Sequence, residues 1–206
     1  VPSLVLAEDQ KPNHYENDIR KYEEADKTNP PPQNAILFIG SSGIRLWTTL
    51  EKDFPEFPVI NRGFGGSHIS DSVYFADRIV IPYKPRLIVF RAGINDIHSG
   101  RTPEQVRDDF DAFVQKVRAK LPDVRIAFLS INPSLKYWNM IETERKANEL
   151  IQAYIAAGKN LDYIDISTAM LGPDGKPRPE LYVQDGLHCT PEGYRLWTSL
   201  VKPHLK

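Results

Sequence analysis

From residue 35 onward, short apolar runs alternate with longer stretches in which apolar residues recur every three or four positions. The runs cover 35–39, 58–60, 87–91, 124–131 and 161–166. They are rich in β-branched residues and mostly lack the alternation of a half-exposed strand, so each is expected as a strand buried on both faces. The amphipathic stretches predict helices over roughly 43–51, 70–81, 103–121, 139–158 and 190–202. Two of these carry start signals: Thr102-Pro103-Glu104 and Thr190-Pro191-Glu192 each set a capping threonine before a proline at the first helical position. Strands alternating with helices predict an α/β fold, a three-layer sandwich with a parallel sheet between helices.

Residues 8–34 break that rhythm. They are polar and charged, and end in "NPPPQN". Within them "YENDIRKYEEADK" predicts a surface helix with Tyr15, Ile19 and Tyr22 on one face, which the prolines then stop. Residues 1–34 thus read as an extension and 35–206 as the domain.

Composition narrows the field without choosing a function. The chain has 206 residues, 41% hydrophobic and 26% charged, which suits one packed domain. A net charge of −1 offers no electrostatic case for nucleic acid or an anionic membrane. No apolar run approaches the length of a membrane span. The single cysteine, Cys189, allows neither an internal disulfide nor a cysteine-based zinc site. The opening "VPSLVLAEDQ" suits signal-peptidase cleavage after Ala7, so export to a periplasm or the exterior is expected.

The chemistry lies where the strands end, the edge at which open parallel sheets hold ligands. After the first run comes Gly40-Ser41-Ser42-Gly43. A serine there is either a helix cap or a nucleophile beside free N–H groups able to stabilise an oxyanion. After the second comes "NRGFGGSHISD", whose Gly63, Gly65 and Gly66 allow close backbone approach to a ligand. After the third comes "RAGINDIHSG": Asn95 either closes an Asx-turn or offers its amide to a developing negative charge. Near the end, "DGLHCTPEGY" places Asp185 three residues before His188, a spacing that lets a carboxylate orient an imidazole. Cys189 is set aside as a nucleophile, because it would need a separate base. Together these pieces supply nucleophile, base, orienter and oxyanion donors, the parts needed for acyl transfer.

In order and spacing the blocks "FIGSSGI", "GFGGS", "AGIND" and "DGLH" resemble those of the SGNH hydrolase superfamily, the GDSL-type esterases and lipases. Ser41 stands where typical members have aspartate. The resemblance implies a flavodoxin-like sheet of about five parallel strands with no metal or other cofactor. It implies a triad of Ser42, His188 and Asp185, and an oxyanion hole from Ser42, Gly66 and Asn95. The general layout is also similar to the catalytic subunits of platelet-activating-factor acetylhydrolase. The implied substrates are short acyl esters, acetyl above all, including acetylated carbohydrates. Ser41, His68, His98 and Tyr182 are candidate substrate contacts. Trp47, Phe64, Tyr137 and Trp138 join Tyr182 as candidate aromatic walls. Two other classes stay open: a non-catalytic carbohydrate-binding descendant, and a flavodoxin-like protein cradling a phosphate or flavin on the Gly40–Gly43 turn.

Overall fold

The computed structural model describes residues 14–206; the expected cleavage site after Ala7 lies outside them. Five parallel strands form one sheet in the order β2-β1-β3-β4-β5. They are β1 (Ile36–Gly40), β2 (Val59–Gly63), β3 (Leu87–Arg91), β4 (Arg125–Leu129) and β5 (Leu161–Ile164). Residues of β1 and β3 are buried throughout, as their unbroken apolar runs require. Alternate side chains feed two cores. Leu37, Ile39, Ile88, Phe90, Ile126 and Phe128 pack on one face, under helices α1 (Glu16–Thr28), α4 (Ile69–Ile79), α6 (Pro103–Arg118) and α7 (Ile141–Ala157). Ile36, Phe38, Leu87, Val89 and Leu129 pack on the other, against Trp47 and against Trp197 of α8 (Pro191–Val201). The result is the expected three-layer α/β sandwich.

Several expected bounds shift, each for a local reason. The helix expected over 43–51 is two four-residue pieces, α2 (Ser42–Arg45) and α3 (Leu50–Asp53). Between them Trp47 Nε1 and Thr49 Oγ1 both donate to Asp53 at 2.6 Å, which closes a turn in place of a continuous helix. β2 runs on past its apolar start through Asn61 and Arg62, which stay in register with Phe38 and Ile39 of β1, and the buried Arg62 is matched by Asp26 of α1 at 2.5 Å. β5 stops at Ile164, after which the Ile166 and Ser167 N–H groups donate to Ser130 Oγ. A five-residue helix, α5 (Ile94–His98), follows β3 where only a turn was expected.

α1 buries the face that carries its apolar residues. Ile19 is fully enclosed, and Tyr15, just before the helix, lies against Phe64 with ring centroids 5.2 Å apart. Arg78 of α4 grips Glu16 at 2.8 Å and Glu23 at 2.7 Å. At the far end of the chain, Arg86 donates to the Leu205 carbonyl and Arg125 to that of Lys206. No helix among the described residues is long and apolar enough to cross a membrane.

Candidate active site

Strand order reverses between β1 and β3, since the chain moves outward to β2 on one side and to β4 and β5 on the other. Crevices at such switch points are the usual ligand sites of this architecture. The first turn after β1 is drawn tightly over β3. Gly40 has φ +147°, and a side-chain carbon on it would stand 1.8 Å from the Arg91 carbonyl, so only glycine fits. The Ser41 N–H then donates to that carbonyl at 3.1 Å.

This turn aims the two serines in different directions. Ser42 opens α2 and lines a cleft of about 420 Å³ together with Asp18, Arg45, Gly65, Gly66, Asn95, Leu187 and His188. Its Oγ lies 2.9 Å from His188 Nε2, and His188 Nδ1 lies 2.5 Å from Asp185 Oδ2. The other Asp185 oxygen accepts the backbone N–H groups of Leu187 and His188, at 2.8 and 3.0 Å. Partial desolvation would raise the Asp185 carboxyl. The N–H and ring of His188 and the Leu187 N–H outweigh it and hold the carboxyl at about 2. Asp185 is therefore a carboxylate wherever the imidazole needs an orienting partner.

Across the cleft, Asn95 donates through Nδ2 to the Ser67 carbonyl at 3.0 Å. An amide nitrogen has two hydrogens, so one fixes the side chain and the other remains for a ligand. Gly66 sits at φ +80° in the turn after β2. Among the described residues, the N–H groups of Ser42 and Gly66 have no acceptor. Asp96, next to Asn95, is fully buried and accepts the Ile69 N–H at 3.0 Å, which ties α5 to the start of α4. Burial pushes its carboxyl up to about 7.

Ser42, Gly66, Asn95, Asp185 and His188 thus come together, and the four candidate substrate contacts do not join them. Ser41 is wholly buried and its Oγ accepts from Arg91 Nη1 at 3.2 Å, so it cannot touch substrate. Tyr182 is buried with its hydroxyl donating to the Pro133 carbonyl at 2.6 Å. His98 stacks on Tyr137 with centroids 4.1 Å apart, outside the cleft. His68 precedes α4, where its N–H donates to Asp71 at 2.8 Å, and it too lies outside the cleft. Of the other aromatic candidates, Trp47 and Phe64 are core residues. Burial pushes the Cys189 thiol up to about 12, which keeps it from being a thiolate.

Sequence reasoning missed Arg91. An arginine closing an apolar strand reads as the chain leaving the core, yet its guanidinium is buried, bonded to Ser41 and Asn132 and lying 5.2 Å from the Trp197 ring. Gly43 leaves it room: a side-chain carbon there would stand 2.6 Å from Arg91 Nη1. Arg91 braces the serine turn from below.

A three-layer α/β fold with serine, histidine and aspartate in a hydrogen-bonded row at its switch point falls in the class of ester hydrolases. The chain belongs to the GDSL-like lipase/acylhydrolase family, whose profile matches residues 40–196. It is similar to the alpha1 subunit of platelet-activating factor acetylhydrolase IB from Bos taurus, 27% identical over 176 residues, which are 82% of this chain and 73% of that one. In fold it is similar to a Streptococcus pneumonia protein described as a platelet activating factor, with a TM-score of 0.83 at 21% identity over 94% of each chain. It is also similar in fold to an acetyl-xylooligosaccharide esterase from Geobacillus, with a TM-score of 0.67 at 16% identity over 84% of this chain and 94% of that one.

Proposed function

We propose that the protein hydrolyses short-acyl esters, chiefly acetyl esters, of polar alcohols such as carbohydrates, through an acyl-enzyme on Ser42. The observation that carries this reading is the unbroken row from Ser42 Oγ through His188 to Asp185. Ser42 Oγ attacks the ester carbonyl carbon while His188 Nε2 takes its proton. Asp185, held ionised, keeps the other ring nitrogen protonated and steadies the imidazolium. The negative charge that forms on the carbonyl oxygen is met by the N–H groups of Ser42 and Gly66 and by Asn95 Nδ2. Collapse expels the alcohol, which takes the proton from Nε2. Water, deprotonated by the same imidazole, then releases the acid and restores Ser42.

The acyl preference rests on a small pocket beside Ser42 and His188, walled by Gly43, Arg91, Ile94, Leu187, Cys189 and Trp197 and only about 10 Å³ in size. That is roughly the space of one water-sized group, which favours a methyl over a longer chain. The polar lining of the larger cleft, with Asp18 and Arg45, suits an alcohol rich in hydroxyls. The names of the bovine relative and of the Geobacillus esterase both refer to acetyl groups.

The test is hydrolysis of p-nitrophenyl acetate, butyrate and octanoate by the wild type and by Ser42→Ala. Acetate should be preferred, and Ser42→Ala, folded by circular dichroism, should lose at least about 10³-fold in kcat. A folded Ser42→Ala protein that keeps its activity would sink the assignment. Equal rates on acetate and octanoate would sink the acyl preference.

A further inference from the structure

Beyond the carboxyl ends of β4 and β5 lies another cavity, larger than the triad cleft at about 820 Å³. One wall is the loop after β4, which contributes Leu135 and Trp138. The other is the segment after β5, which contributes residues 171–174 and 176–180. That second wall is built, not draped. Leu171 bridges Pro177, the Gly172 N–H donates to the Lys176 carbonyl at 2.8 Å, and the Arg178 N–H donates to that of Met170 at 3.0 Å.

The wall of this cavity touches the loop that borders the Ser42 cleft. The Lys136 N–H donates to the Gly186 carbonyl at 3.0 Å, and Gly186 lies so close to Leu135 that a side-chain carbon on it would stand 3.1 Å from Leu135 Cβ. Gly186 sits between Asp185 and Leu187, and Leu187 lines the triad cleft. One loop, 183–188, therefore has the Ser42 cleft on one side and Leu135, from the wall of the larger cavity, on the other. Among the described residues only three large apolar side chains are strongly exposed. Two of them are Leu135, at 42%, in the wall of the larger cavity, and Val183, at 41%, at the start of the 183–188 loop.

We propose that this cavity is a second carbohydrate subsite of the same active site, holding a sugar ring of the chain whose acetyl ester lies at Ser42. The inference rests on the acetyl-carbohydrate reading above. Trp138 and Leu135 on one wall, and Pro173 and Pro177 on the other, give the cavity apolar surface suited to the C–H face of a sugar ring. Asp174, Lys176, Arg178 and Glu180 line the same cavity and offer donors and acceptors to hydroxyls. A hydrocarbon chain in this place would strip water from those charged groups without replacing their hydrogen bonds. The position also fits, because both cavities open at the carboxyl edge of one sheet.

The test compares two substrates of different reach. p-Nitrophenyl acetate has nothing to place beyond the Ser42 cleft, whereas acetylated xylotetraose has further sugar rings to place in the larger cavity. For Trp138→Ala, and separately for Leu135→Asp, the ratio of kcat/KM on the tetraose to kcat/KM on p-nitrophenyl acetate should fall about tenfold, through KM. An unchanged ratio in both variants overturns the subsite while leaving the esterase reading intact. A wild type that cleaves p-nitrophenyl acetate but none of xylo-, manno- or cello-oligosaccharide acetates overturns the carbohydrate reading and the subsite with it. A wild type inactive on every ester, with Ser42→Ala indistinguishable from it, overturns the hydrolase reading itself. These three failures are separable by inspection of the same data set.

Discussion

Asn95 is held by one hydrogen bond and offers another, which makes its contribution measurable. In the proposed mechanism its free N–H meets charge that exists only in the transition state. Asn95→Ala should therefore lower kcat on p-nitrophenyl acetate by about 10² to 10³-fold with little change in KM. A variant changed mainly in KM would mean that Asn95 binds the ground state instead. The residues that the structure gathers at the candidate site were legible because their types and spacing are particular: a serine after a glycine turn, an asparagine past a strand, an aspartate three before a histidine. The neighbours were not legible. Ser41 and Ser42 are the same residue in the sequence, and only the tight approach of Gly40 to Arg91 sends one hydroxyl into the core and the other into the cleft. His68, His98 and Tyr182 carry functional groups that suit a site. Where a loop side chain points is settled by packing against distant parts of the chain, and no local pattern encodes that.

Among the elements, the long amphipathic helices followed from periodicity, and the short ones did not. α2, α3 and α5 are four or five residues each, too short for a 3.6-residue period to register. They are held by side-chain bonds such as those converging on Asp53. α1 illustrates a different limit. Its apolar face was legible, and Ile19 on that face is fully enclosed, but nothing in its charged residues announces that Asp18 reaches the Ser42 cleft. Truncating an enclosed isoleucine costs about 2–5 kcal/mol. Ile19→Ala should lower the urea midpoint accordingly, whereas loss of the exposed Lys27–Glu24 pair by Lys27→Ala should leave it within error. Equal midpoints for Ile19→Ala and the wild type would show that α1 is not integral to the folded unit.

At the scale of the whole molecule, buried carboxyls set the response to pH. Glu144 of α7 is buried with neither oxygen hydrogen-bonded, and burial pushes it up to about 8 against the pull of the Arg91 guanidinium. Asp96 is raised to about 7. Both groups bind protons more tightly in the folded chain than in the unfolded one. Their contribution to stability is therefore complete below about pH 4 and is lost as pH rises through 7 and 8. Denaturant unfolding should show lower stability near pH 8.5 than near pH 5. Glu144→Gln should flatten that fall by an amount on the order of 2 kcal/mol. A variant with the same slope as the wild type would show that Glu144 finds a partner that keeps it charged. None of this was visible in composition, where a net charge of −1 hides which carboxyls are inside.

The grip of Arg86 and Arg125 on the last carbonyls of the chain has a practical side. Both arginines stand at the amino ends of their strands, while Ser42 and Asn95 follow the carboxyl ends of theirs. A strand of five residues spans roughly 16 Å, so Lys206 and the candidate site lie on opposite rims of the sheet. Tethered to a bead or an electrode through its last residue, the molecule would stand with both cavities turned to the bulk solution, open to a polymer too large to diffuse beneath it.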